Sequence, residues 1–366
     1  MPSEVRCAMP NEGGAVAKVT VIVPIRSVPG RDVARRLTYA MADPQLKRGE
    51  VTFLVVDDGS PPERKKEHER ICREHGIDFH YLDTGHLPVN MARARNAGVK
   101  RAKTKYIMFM DVDLHPYPGY YGDLLAETGR QGLARHEDDL VMTAVVYLTR
   151  DGTERFFKIS DERRKALFLE AAEKGDRSLI EKVSTGTSAV LLHRRRYLEL
   201  GGYDESFEQW GYEDIEYNLR HIHASDRFPL PADFAKEIGR LSDIDVYRGW
   251  KSIYRLYGEM TFARKIVLFH LWHDIDRDST YVRGYERNRQ RFVRKLKALA
   301  SRPRSETVRV PFEDSVFDRY RNSAGGLSLL DRYRNSPLIV WVQPLKRIPL
   351  VGGTLLRLKR LWLDRR

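Results

Sequence analysis

The sequence predicts an α/β fold: a central, mostly parallel sheet flanked by helices, followed by a helical C-terminal extension. Three observations carry this expectation. Short β-branched runs recur at residues 19–25 (VTVIVPI) and 51–56 (VTFLVV), and a further buried strand reads at 105–110 (KYIMFM). Helix-like stretches separate them, at about 31–42, 62–75 and 90–102. Each run stops at a charged residue: Arg26, Asp57 or Asp111. Continuous apolar runs bounded by turn residues mark strands buried on both faces. Their alternation with helices marks a doubly wound sheet.

The later elements are more mixed. A short strand is expected at 78–82, strands at 140–148 and 186–193, and a polar helix at 160–175. A short helix at 195–202 ends in Gly201-Gly202, and a helix at 212–223 opens with acids. An apolar run at 264–272 ends in the pair His270 and His273. Residues 280–300 are Arg/Lys-rich and helical, and 301–326 read as a Pro/Ser linker. The chain thus divides into a flexible N-terminus (1–17), a main domain (18–278), a basic helical extension and linker (279–336) and a basic amphipathic tail (337–366).

Composition narrows the function classes. With 366 residues, 42% of them hydrophobic, the chain can bury a real core. Its net charge of +13 fits nucleic acid, an anionic membrane surface, or acidic substrates such as nucleotide sugars and polyanionic glycans. The two cysteines, Cys7 and Cys72, exclude a disulfide framework and a Cys-based zinc site. No secretory signal is expected in the first 18 residues, and no apolar stretch reaches the length of a membrane span. A cytoplasmic, peripheral protein is the expectation.

Strands of a doubly wound sheet present ligand-binding residues at their carboxyl ends. Arg26, Asp57, Asp58, Asp111 and Asp113 all follow predicted strands, so they are expected along one edge. Asp111-Val112-Asp113 offers two hard oxygen ligands to a divalent cation that bridges phosphate oxygens. An isolated Asp-x-Asp is more often a strand-end turn; the apolar strand before it and Asp57-Asp58 reverse that balance. Glu213 and Asp214 fall on the first turn of a predicted helix. They either complement its dipole or supply a carboxylate that takes a proton from a hydroxyl. Trp210 beside them suits a sugar face or a buried core. His270 and His273 can share one ion or be structural. Arg93 and Arg95 can meet a diphosphate or form a solvated basic face.

In this order, the motifs resemble the GT-A (Rossmann-like) glycosyltransferases of the family-2 type. The second half is similar to the β-1,4-galactosyltransferases and chondroitin-type capsule polymerases. The residues that carry the resemblance are Val23-Pro24-Ile25-Arg26, Val56-Asp57-Asp58-Gly59-Ser60, Ala94-Arg95-Asn96-Ala97-Gly98 and Phe109-Met110-Asp111-Val112-Asp113-Leu114. The later set is Gly186-Thr187-Ser188-Ala189, Gly201-Gly202-Tyr203-Asp204-Glu205, Trp210-Gly211-Tyr212-Glu213-Asp214 and His270-x-x-His273.

The resemblance implies a UDP-sugar donor (Gal, GalNAc, GlcNAc or GlcA type), Mn2+ or Mg2+ as cofactor, and a glycan or lipid-linked acceptor. It places Pro24, Arg26, Asp57 and Asp58 near the nucleoside, and Arg95, Asn96, Gly186 and Thr187 near the donor. Asp113, His273 and His270 become metal ligands, with Asp111 on ribose or metal. Asp214 becomes the base of an inverting transfer, with Glu213 holding a sugar. Tyr212 departs from the pattern: it stands where the family has a second Gly, and its ring narrows the pocket.

The tail interleaves Leu and Trp with seven Lys/Arg against one acid, Asp364. Such a segment suits an anionic membrane surface, or packs on the main domain or on another subunit. Capsule or other bacterial surface-polysaccharide synthesis fits these expectations. Three rivals remain in view. A nucleotidyltransferase would show a Gly-rich basic loop after the first strand. A basic nucleic-acid-binding protein lacks any matching motif here, so no nucleic-acid partner is expected. A non-catalytic relative is disfavoured by Asp113, Asp214 and His273.

Overall fold

Strand β1 (Val19–Ile25) is buried along its whole length, because both of its edges and both of its faces are covered. The computed structural model describes residues 18–28, 33–41, 51–225, 234–237, 249–274 and 282–302, all within the unit Met1–Val310. The N-terminus expected to be flexible (1–17), nearly all of the linker (301–326) and the basic tail (337–366) lie outside the described residues.

On one side β1 pairs in parallel with β2 (Val51–Asp57), which pairs in parallel with β3 (Asp78–Tyr81). On the other side it pairs in parallel with β4 (Tyr106–Phe109). The connecting helices are α1 (Ala34–Met41), α2 (Pro62–Glu74) and α3 (Met91–Arg101). This half is the βαβ alternation expected from the sequence.

Past β4 the pairing changes. The sheet order is β3-β2-β1-β4-β7-β6-β8-β5, with β5 at Leu114–His115, β6 at Leu140–Leu148, β7 at Ile180–His193 and β8 at Val267–His270. β7 runs antiparallel to β4 and β6, β8 is parallel to β6, and β5 closes antiparallel to β8. The result is a mixed eight-stranded sheet with helices packed against it, an α/β architecture.

β7 starts six residues before the strand expected at 186–193. Its outer part, Ile180–Ser184, buries only Ile180 and then alternates exposed and half-buried positions, so it lacks the continuous apolar run that betrays the inner part. Four helices go beyond the sequence reading or correct it. The first two are α4 (Tyr120–Gln131) and α5 (Arg150–Lys158), which carry glycines in their interiors. The expected helix at 195–202 is shorter, α7 (Arg194–Glu199), after α6 (Asp161–Lys174). α9 (Lys251–Ala263) follows α8 (Glu213–His223) and precedes α10 (Tyr285–Ala300).

α9 explains an irregularity that shapes the site. Met142 pairs with Val190 and Ala144 with Thr185, so residues 186–189 bulge out of β7. The backbone groups this leaves on β6 are satisfied by α9. Thr261 Oγ1 accepts from Ala144 N at 2.9 Å and donates to Met142 O at 3.0 Å. Thr185 Oγ1 donates to Tyr254 O at 2.5 Å. A bulge persists where other groups replace the lost ladder bonds.

α3 lies tight on the sheet because Gly98 has no side chain. A Cβ there would sit 2.5 Å from Ile22 Cγ2 and 3.2 Å from Val56 Cγ2. Both neighbours are buried, β-branched and stiff. Ala at position 98 would gain about 1 kcal/mol of helix propensity, against an overpacking cost of about 1–3 kcal/mol. Gly98→Ala is therefore expected to lower the urea midpoint, and a raised midpoint would show that α3 can shift outward freely.

Candidate active site

The expected edge of charged residues divides into separate knots. Asp58, just after β2, is fully buried. Arg93 grips it with two donors, Nε to Oδ1 at 2.8 Å and Nη2 to Oδ2 at 2.9 Å. Asn90 N donates to Oδ2 at 2.7 Å and Thr84 Oγ1 to Oδ1 at 3.0 Å. Burial raises the Asp58 carboxyl above its ordinary value, against the pull of Arg93 and Asn90. Arg26 reaches Asp58 at 3.5 Å, and also donates to the carbonyls of Gly85 and Leu87 at 3.0 Å each. This knot sets the course of residues 84–90 into α3, where the Asn90 side chain caps the helix by accepting from Arg93 N at 3.0 Å.

Asp57 turns away from that edge. Its carboxylate meets His68 Nδ1 at 2.8 Å and Ser60 N at 2.8 Å, beneath α2. Pro24 is buried in β1 opposite Val56, beyond Ile22, where β4 pairing stops, so its missing N–H costs no ladder bond. Asn96 is not brought to the carboxylates either. It accepts from Tyr197 Oη and Tyr203 N, and donates to Tyr203 O and Glu205, which ties down the 203–205 segment.

Arg95 joins the two halves of the chain. It is 2% exposed, so the solvated-face reading fails for it. Nη2 binds Asp111 Oδ1 at 2.9 Å, and Nη1 binds Glu213 Oε1 at 2.8 Å. The bulge on β7 delivers two hydroxyls to the same place. Ser188 Oγ donates to Asp111 Oδ2 at 2.6 Å, and Thr187 Oγ1 to Asp214 Oδ2 at 2.5 Å. Asp214 Oδ1 also accepts from Ile215 N at 2.8 Å. Gly186 is required in the bulge because a Cβ would press on Val145 and Ala189, at 2.7 and 2.8 Å.

One guanidinium thus serves three carboxylates, Asp111, Glu213 and Asp214. Burial first, and the Asp214 charge second, push Glu213 up to about 7. Burial likewise raises Asp214, against Arg95 and the Thr187 hydroxyl. Among the described residues, Glu213 Oε2 is buried without a hydrogen-bond partner.

Two residues past Asp111, the chain forms a second cluster. β5 and β8 pair Leu114 with His270, which brings Asp113 against the histidines. Ligand atoms of Asp113, His270 and His273 lie within 4.8 Å of one another. His273 Nε2 is 3.1 Å and His270 Nε2 3.6 Å from Asp113 Oδ2, with Arg36 Nη1 at 3.5 Å. Burial opposes charge on Asp113, but His270, His273 and Arg36 hold its carboxyl well below the usual range. Burial lowers His270, which keeps its imidazole neutral and able to ligate. His273 Nδ1 faces Asp274 O at 3.0 Å, leaving Nε2 for an ion. One carboxylate and two imidazoles fit a divalent transition-type cation.

The third part is an aromatic shelf. Trp210 is 41% exposed, so it is not a core residue; it stacks on Tyr285 of α10 with centroids 5.2 Å apart. Tyr212 adopts φ +74, a left-handed backbone, and packs against Phe292 at 5.1 Å. Its hydroxyl meets that of Tyr285 at 3.1 Å. Asn288 of α10 donates to Glu208 O and Trp210 O. Sequence reasoning missed Tyr285, Arg36 and Tyr147, whose ring stacks on His270 at 4.6 Å. Tyr147 alone had a visible signal, at the polar end of a predicted strand.

No curated protein matches the sequence. Among solved structures, the mannosyltransferase PcManGT from Pyrobaculum calidifontis, in complex with GDP-Man and Mn2+, is similar at 14% identity and a TM-score of 0.43. The match covers 79% of this chain and 66% of that one. S. aureus TarS is similar at 14% identity and a TM-score of 0.36, over 56% of this chain and 33% of that one. GalNAc-T7 with UDP, GalNAc and Mn2+ is similar at 14% identity and a TM-score of 0.34, over 59% and 42%. The family model described as glycosyltransferase like family 2 matches residues 20–298, from β1 into α10. Because that match spans all three parts of the candidate site and well over half of the chain, the chain belongs to this family.

Proposed function

We propose that the chain transfers a sugar from a UDP-sugar of Gal, GalNAc, GlcNAc or GlcA type to a hydroxyl of a glycan or lipid-linked acceptor, with inversion. The observation that carries this reading is the convergence of Asp113, His270 and His273 beside the Arg95-bridged acids. Asp113, His270 and His273, with Asp111 beside them, would hold a divalent cation, which when bound would supply positive charge against the departing diphosphate.

The chain's own residues supply the rest. Asp214 takes the acceptor proton, its carboxylate fixed by Thr187 and Ile215 N. The open Oε2 of Glu213 meets a sugar hydroxyl. Arg95 holds Asp111 and Glu213 at their stations. Gly186 and Thr187 border the donor sugar, and Trp210 offers it or the acceptor an aromatic face. Arg26 and Asp58 shape the loop on the nucleoside side, while Asp57, Pro24 and Asn96 keep the strand ends and the 203–205 segment in register with it.

A role in capsule or other surface-polysaccharide synthesis on the cytoplasmic face of the membrane fits the composition of residues 337–366. Among the described residues no helix is long and apolar enough to cross a membrane. Deleting 337–366 is expected to release the protein from phosphatidylserine-containing liposomes in a sedimentation assay; unchanged binding refutes the tail as anchor.

Two substitutions separate the roles of the acids. Asp113→Ala is expected to weaken Mn2+ binding by more than the ~10–100-fold typical of an outer-shell partner. Asp214→Asn is expected to keep UDP and Mn2+ binding in calorimetry while transfer slows by about 100- to 10,000-fold. Transfer at the normal rate in Asp214→Asn excludes it as the base.

The pH profile tests the coupled acids. A base works only when deprotonated, and burial raises both Glu213 and Asp214. Activity is therefore expected to rise with pH along an acid limb belonging to the pair, with Glu213 at about 7. Glu213→Gln removes one charge from the pair and is expected to move that limb to lower pH. A flat profile from pH 5 to pH 8, a span of about three units across the ordinary carboxylate and imidazole ranges, contradicts it.

A further inference from the structure

A row of side chains runs across three strands beside the Asp113 cluster. Tyr147 on β6 pairs in register with Lys182 on β7 and with His270 on β8. The side chains follow the backbone. The Lys182 ammonium lies over the Tyr147 ring, 4.4 Å from its centroid, and the same ring stacks on His270 at 4.6 Å. His270 in turn lies 5.2 Å from His273. Both Lys182 and Tyr147 are half-buried.

The other cations of the site are engaged by carboxylates: Arg95 by Asp111 and Glu213, and Arg36 by Asp113. Lys182 differs. Among the described residues it has no ion-pair partner, and its ammonium is held by an aromatic face. A ring holds a cation in place while leaving its N–H donors free for an anion. Lysine is moreover a common point-charge contact for phosphate oxygens.

We propose that Lys182, carried on Tyr147, is a contact for an oxyanion of the donor's diphosphate, and that Tyr147 positions both Lys182 and His270. The inference rests on the nucleotide-sugar reading above and adds two residues to it. Lys182 is the contact residue. Tyr147 acts through its neighbours, as a spacer that keeps the ammonium and the imidazole on opposite sides of one ring.

The test is calorimetric titration of UDP and of GDP into the full chain at saturating Mn2+, alongside Mn2+ alone. Lys182→Ala is expected to weaken diphosphate binding about tenfold or more, the loss of one charge-assisted contact, with Mn2+ affinity unchanged. Lys182→Arg is expected to restore most of it. Tyr147→Ala is expected to weaken both Mn2+ and diphosphate binding, and Tyr147→Phe, which keeps the ring, neither. Equal diphosphate affinity in Lys182→Ala and wild type overturns this inference and leaves the donor reading intact. A wild-type chain that binds Mn2+ but neither diphosphate overturns both.

Discussion

The site depends on one buried cation. Arg95 comes from α3 in the first half of the chain, and its two main partners come from the end of β4 and the start of α8. Without it, Glu213 would be a buried carboxylate with no counter-charge, set beside the half-buried Asp111 and Asp214, and an unpaired buried ion costs several kcal/mol. With it, the halves are fixed to each other at the cluster of acids. The hydroxyls of Thr187 and Ser188 then complete the carboxylates' hydrogen bonding. They can do so only because four residues of β7 leave the ladder and α9 fills in behind them. The candidate site is thus assembled from a helix, a strand end, a bulge and a helix start.

Much of the parallel half was legible because its physics is local. β1, β2 and β4 are continuous apolar runs, and each ends in charge. What the sequence could not show was which way those charges point. Asp57 and Asp58 are neighbours, yet one turns under α2 to His68 and the other to Arg93. Alternation along the strand separates them. Arg95 was readable in hindsight: Met91, Ala94, Arg95 and Gly98 share one helical face, and that face is buried. A basic residue on such a face needs carboxylates, and the sequence offers Asp111 and Glu213.

The antiparallel half was less legible because it rests on non-local pairing. Two residues make β5, and no periodicity exists in two residues. Yet the Leu114–His270 pairing is what brings Asp113 to the histidines. The motif His270-x-x-His273 could be noticed in the sequence, but its partner could be named only through family resemblance. The relation of Lys182 to Tyr147 was invisible for the same reason, since it is a register across β6 and β7.

Tyr212 is a residue whose backbone and side chain want opposite things. A left-handed conformation in a bulky residue costs about 1–3 kcal/mol, and glycine would remove that cost. The ring, however, lies against Phe292 and reaches Tyr285, and Gln209 shares the same unusual backbone at φ 65. The loop before α8 is therefore under tension, and α10 is the clasp that holds it there. Relaxing the tension at position 212 would also undo the clasp, so the loop before α8 and the last described helix are constrained to vary together.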